Sequence, residues 1–133
     1  MRIRDKIKKP QRPVVAYEIL PPREKDGTLN AYAETISSLL SQTHIDAINI
    51  PEVHDEVGRG ERPVSNQERG EPRKFGMLLQ DIVGIEAIVN RVVVHMPLKK
   101  QMEWINETYS KYEIDNLIIV GGESSKQKYP GPT

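Results

Sequence analysis

Apolar positions in this chain fall into short unbroken runs that alternate with runs spaced three and four apart, with proline and glycine between them. The first run, "PVVAYEILPP", starts behind Pro13 and is stopped by Pro21 and Pro22. It is short and β-branched, which predicts a buried strand from about Val14 to Leu20. "REKDGT" is turn chemistry, and Thr28 is placed to cap a helix whose Leu29, Tyr32, Ile36, Leu39 and Leu40 form one apolar stripe. "HIDAINI" predicts a second strand ending at Pro51. From Glu52 to Gly70 periodicity is lost while glycines and alternating charges take over, so a long mobile loop, either a lid or an insertion, is expected there. Pro72 suits the first position of the next helix, with Phe75, Leu78, Leu79 and Ile82 as its apolar face and Gly84 as its stop. "NRVVVHM" predicts strand three, closed by Pro97. Leu98, Met102, Ile105, Tyr109 and Tyr112 predict a helix at four-three-four-three spacing, and "DNLIIVGGE" predicts strand four.

Strand and helix therefore alternate, and the strands are nearly continuous in Val and Ile, as a parallel sheet covered by helices requires. No helix is predicted after strand four, so the pattern reads as half of a larger layer whose edge strands keep unpaired backbone groups. A flavodoxin-like sandwich is the alternative, although it would end in a covering helix. Length adds that 133 residues fit one domain, here a basic arm over 1–12 followed by 13–133 with its charged loop at 52–71. No apolar run approaches the roughly 20 residues of a membrane span. Nineteen basic side chains balance nineteen acidic ones, so the chain as a whole has no electrostatic reason to seek nucleic acid or an anionic bilayer. The imbalance is local: Arg2, Arg4, Lys6, Lys8, Lys9 and Arg12 crowd the arm, where solvation is expected and a basic binding tail is the alternative. The absence of cysteine excludes disulfides, thiol nucleophiles and zinc-thiolate sites, and fits a reducing cytoplasm.

In parallel α/β folds the working polar residues gather at the carboxyl ends of strands. Alternation puts Val14, Ala16 and Glu18 on one face of strand one, so Glu18 would lie inside a barrel and not under a helix. The same alternation assigns Arg91, Val93 and His95 to that interior, and Val92, Val94 and Met96 to the helix layer. Strand four ends in Val120, Gly121, Gly122 and Glu123, where two glycines would let the backbone approach a flat or phosphorylated ligand. Strand two offers Asn49 or Glu52, depending on register. Taken singly, a strand-end glutamate is commonly solvated, a strand histidine structural and a diglycine a turn. Convergence of Glu18, His95 and Glu123 on one rim is what points to chemistry, since a carboxyl group in an apolar barrel would have its pKa raised toward neutrality, as a general acid needs. "EVHDE" over 52–56 lacks a helical histidine pair and reads as solvated loop; no metal site is expected. "GRGERP" matches no phosphate loop, and Met77, Met96 and Met102 read as core.

"YEILPPRE", "VVVHMPL" and "NLIIVGGES" resemble, in order and spacing, strand ends in the first half of the methylenetetrahydrofolate reductases. The resemblance covers residues 13–133 and implies α/β parallel (βα) units forming half of a TIM (βα)8 barrel. It implies FAD as cofactor, NADH or NADPH as electron donor, and a folate or related pterin as substrate, reduced from the 5,10-methylene to the 5-methyl form. By position, Glu18 matches the family's catalytic acid, His95 its flavin-contacting histidine, and Val120, Gly121 and Gly122 the segment along the flavin. Glu123 stands where the family has aspartate, with a catalytic and substrate-binding role, and Asn49 is the further substrate contact. Gly121 stands where typical members have arginine, which removes a planar cation, and the family's other flavin contacts lie beyond Thr133. A homo-oligomer or completion by a second half-barrel is the implied assembly. A non-catalytic half-barrel that docks on or regulates a partner, and a pterin-dependent methyltransferase, are the other readings.

Overall fold

Four short strands pair in parallel in the order in which they occur in the chain: β1 (Ala16–Glu18), β2 (Ala47–Ile50), β3 (Glu86–Val92) and β4 (Asn116–Val120). The structure, a computed structural model, describes residues 2–52, 69–122 and 128–132. Three helices connect these strands: α2 (Leu29–Leu40), α3 (Pro72–Val83) and α4 (Leu98–Ser110), while α1 (Ile3–Lys8) precedes β1. The sequential order lacks the reversal of a flavodoxin-like sheet, so that alternative is set aside.

Local chemistry fixes the helix ends where the sequence places them. Thr28 accepts a hydrogen bond from the Ala31 amide at 3.1 Å, which satisfies one of the orphan donors of α2. Pro72 opens α3, and Gly84 closes it in the left-handed conformation at φ 73°. Glu71 caps α3 through the Lys74 amide.

The in-register rows decide which side of the sheet is covered. Glu18, Asn49, Ile88 and Asn116 share one row, and Ile50, Val89 and Leu117 another. Residues of the second parity, Ile19, Ile48, Ile50, Ala87 and Val89, are buried in a single core with Ala33, Ile36, Leu40, Phe75, Leu79 and Ile114. All three connecting helices lie against this core, α4 through Trp104. The row carrying Glu18 therefore belongs to the opposite face, which none of these helices covers.

Several expectations shift. β3 runs over Glu86–Val92 and not Asn90–Met96, because Val93–His95 turns into a 3-10 helix where β4 has no further residue to pair. Arg91 consequently has helix-face parity and does not share the interior with Glu18. The predicted stripe of α4 is largely out of phase: Leu98, Met102 and Tyr109 are exposed, whereas Gln101 and Thr108 are buried, and of the predicted positions Tyr112 packs against the core. The cause is Arg91, whose Nε donates to Gln101 Oε1 at 2.7 Å and whose guanidinium lies 4.3 Å from the Trp104 ring centre. Met96 and Met102 are likewise exposed and are not core.

The basic arm is only partly solvated. Ile3 is 4% exposed, and its amide donates to Glu86 Oε2 at 2.5 Å. Lys6 and Arg12 converge on Asp46, whose side chain is 1% exposed, with the Val15 amide donating to it at 2.8 Å. That amide bond, with Lys6 and Arg12 beside it, holds the Asp46 carboxyl down at about 2. The arm is thus pinned to the amino end of the sheet. Among the described residues no helix is long and apolar enough to cross a membrane. The expected charged loop falls mostly on 53–68, and "EVHDE" beyond Glu52 with it, outside the described residues.

Candidate functional site at the carboxyl ends of the strands

Parallel pairing puts the carboxyl ends of all four strands at one edge, so residues far apart in sequence meet there by topology alone. Glu18 is the last residue of β1 and is exposed on the uncovered face. Its in-register neighbour is Asn49, whose Nδ2 donates to Glu18 Oε2 at 3.3 Å. Register thus answers the choice left open in strand two: Asn49 accompanies Glu18, and Glu52 does not.

Glu52 instead holds the sheet together beneath the site. Its Oε1 accepts from Arg91 Nη1 at 3.0 Å and its Oε2 from the Val92 amide at 2.6 Å, which ties the end of β2 to the end of β3. Burial pushes the Arg91 guanidinium down from its ordinary value, and Glu52 beside it works in the opposite sense. A second guanidinium, Arg73, lies 4.6 Å from the ring centres of both Trp104 and Tyr112 and pairs with Glu71 and Glu107. Arg73 and its hydrogen bond hold the Glu107 carboxyl below the usual carboxylate range. Two cations and three carboxylates around one indole form a rigid floor under the strand ends.

His95 closes the 3-10 turn that follows β3, so it reaches the same edge from a turn and not from strand alternation. Its ring meets Tyr129 edge-on, with centres 5.3 Å apart and planes at 89°. Val120 ends β4 with the parity of Glu18, and Gly121 and Gly122 follow it in the open. A Cβ on either glycine would meet nothing within 4 Å, so crowding does not demand glycine here. Gly122 has φ 71°, and backbone conformation alone accounts for it. Glu123 lies outside the described residues.

Two features escape a sequence reading. Asn90 has the parity of Asn49 and Glu18, which the true start of β3 reveals and the predicted one does not. Asn49 Oδ1 and Asn90 Oδ1 are both buried without a hydrogen-bond partner among the described residues, an unusual cost on one sheet face. Tyr129, the other unanticipated neighbour, had no periodic signal to mark it.

The arrangement offers a carboxylate steadied by a carboxamide, an imidazole on the turn that follows the strand two places along the sheet, and apolar surface at Val120. The apolar enclosure expected around Glu18 is not supplied by the described residues, since Glu18 is exposed. A flavin finds only part of a site here. His95 and Val120 could border its ring, but α2 and α3 have their starts capped by Thr28 and Glu71, and Arg23 and Arg69 are engaged with Asp26 and the Pro21 carbonyl. Among the described residues, therefore, these groups form no cradle for a diphosphate. A scan against protein families finds no family that matches the chain, and a search of curated proteins finds no match either.

Proposed function

We propose that the chain is half of a TIM-type barrel of the methylenetetrahydrofolate reductase kind, acting in the FAD-dependent, nicotinamide-driven conversion of 5,10-methylenetetrahydrofolate to the 5-methyl form in the cytoplasm. The observation that carries the reading is the position of Glu18. It ends β1 on the uncovered face, accepts a hydrogen bond from Asn49, and occupies the carboxyl edge that His95 reaches from β3. Three sequence motifs lead to the same strand ends. The sequential parallel order with helices on one face also supports it, because a barrel is that arrangement closed on itself.

In this reading Glu18 supplies the proton that opens the methylene bridge, and Asn49 fixes the orientation of its carboxyl group. His95 and Val120 to Gly122 border the flavin ring, and Glu123 is assigned by the resemblance to folate binding. Since the described residues make no diphosphate cradle, the remaining flavin contacts are assigned to a second copy of the half-barrel. That half would also enclose Glu18 and withdraw it from water, the condition for an acid that works near neutral pH.

Glu18→Gln tests the reading. With FAD, NADH or NADPH, and methylenetetrahydrofolate supplied, the parent should form the 5-methyl product. The variant should lose at least 100-fold in that rate while nicotinamide oxidation stays near the parent value. Product formed by the variant at the parent rate, or none formed by the parent, would count against it.

A second reading, a non-catalytic half-barrel that completes or regulates a partner, is favoured by a different observation. Ile118 and Ile119 on opposite faces of β4, and Leu98, Met102 and Tyr109 on α4, are all exposed. A colourless protein that purifies only as part of a larger assembly would support this second reading over the first.

A further inference from the structure

Residues 128–132 run back across the 3-10 turn that carries His95. The Gly131 amide donates to the Val94 carbonyl at 2.9 Å. A Cβ built on Gly131 would fall inside the van der Waals envelope of the Val93 and Met96 carbonyl oxygens and press on Val94. These are backbone atoms and cannot swing aside, so only glycine permits the approach. Two residues earlier in the same segment, Tyr129 sets its ring edge-on against His95. Its hydroxyl is buried and has no hydrogen-bond partner among the described residues, so the ring and not the oxygen makes the contact.

We infer that residues 128–132 form a clasp on the turn after β3, locked by Gly131, and that Tyr129 is a positioning residue which sets the orientation of the His95 ring. An edge-to-face pair restricts the imidazole to a narrow range of rotations, because the attraction depends on one ring presenting its edge to the other's face. A residue two segments away thereby becomes part of the site at the carboxyl edge. The clasp itself stands on geometry alone; its bearing on chemistry rests on the flavin reading of His95.

Carbon-detected imidazole resonances of the 13C-labelled chain test this. Gly131→Ala leaves both rings chemically intact but excludes the tail from the turn, so the His95 cross-peaks should move by more than a linewidth, toward the positions they take in Tyr129→Ala. Tyr129→Phe keeps the ring and should return them to the parent position, with a melting temperature no lower than the parent's. His44, on an exposed ring at the other end of the sheet, should stay still in all three and reports that the fold is intact. Parent-like His95 resonances in Gly131→Ala would overturn the clasp. So would a Tyr129→Phe spectrum that matches Tyr129→Ala, since the hydroxyl would then be the working group. Adding FAD to the same samples separates the two ideas: His95 resonances indifferent to FAD would remove the flavin reading while the clasp stood.

Discussion

Arg91→Met probes the floor on which the strand ends rest. Methionine keeps much of the aliphatic bulk but deletes the guanidinium that joins Glu52, Gln101 and the Trp104 ring. The side chains of Arg91 and Glu52 are 7% and 13% exposed, so the pair lies in the buried regime, where removing one partner costs about 3 to 5 kcal/mol. Two circumstances reduce that figure. Glu52 keeps the Val92 amide as a donor, and burial no longer penalises a cation at position 91. The lost hydrogen bond to Gln101 and roughly 1 kcal/mol of cation–π attraction act the other way. The expected loss is about 3 kcal/mol. Glu52→Gln retains an acceptor for the Val92 amide and should lose about 1.5 kcal/mol. Because both changes break the same contact, the double variant should fall short of the sum by about 1.5 kcal/mol. Urea unfolding measures this, with Trp104, the single tryptophan, reporting from inside the network. An Arg91→Met variant within 0.5 kcal/mol of the parent (roughly the noise of such series), or strictly additive effects, would refute the reasoning.

The amino end of the sheet gives a prediction in pH. Asp46 titrates at about 2 in the folded chain against an ordinary 3.8, so its stabilising contribution is present above 3.8 and is lost as pH falls through 2. Asp46→Asn should lower the urea midpoint at pH 7 and flatten its fall between pH 4 and 2; an unchanged acid limb would show that Lys6 and Arg12 do not grip the carboxylate. Gly76→Ala sets two effects against each other in the middle of α3. Alanine gains about 1 kcal/mol in helix propensity, but its Cβ would sit 3.0 Å from Ile114 Cδ1, 3.1 Å from Ile50 Cδ1 and 3.3 Å from Ala87 Cβ. The isoleucine tips can yield, whereas the Ala87 Cβ is fixed to the β3 backbone, so overpacking of about 2 kcal/mol should win. A melting temperature above the parent's would mean that α3 does not pack so closely on the sheet.

What could be read from the chain follows the range of the physics involved. Thr28, Pro72 and Gly84 act within one helical turn, and the ends they mark agree with the structure. The run from Val92 to Val94 is β-branched throughout, yet strand pairing stops at Val92, because β2 offers no partner beyond Val89 and β4 none beyond Val92. No local signal contains that limit. In α4 the spacing showed a helix but chose the wrong stripe: the buried side follows Arg91, a cation on the covered face that draws Gln101 and Trp104 inward. Glu18 was legible because alternation within a single strand decides its face. Asn49 required the register between two strands, and Tyr129 required a tail to fold back on a turn, which periodicity does not encode.

The chain leaves the sheet at Glu52 and returns at Arg69 and Gly70, and both ends are tethered. Glu52 is bound to β3, while Arg69 donates to the Pro21 carbonyl and the Gly70 amide to that of Pro22. For an engineer these anchors are the positions to spare: a change at Glu52 or Arg69 would loosen the seam between neighbouring strand ends even though neither residue lies in a strand.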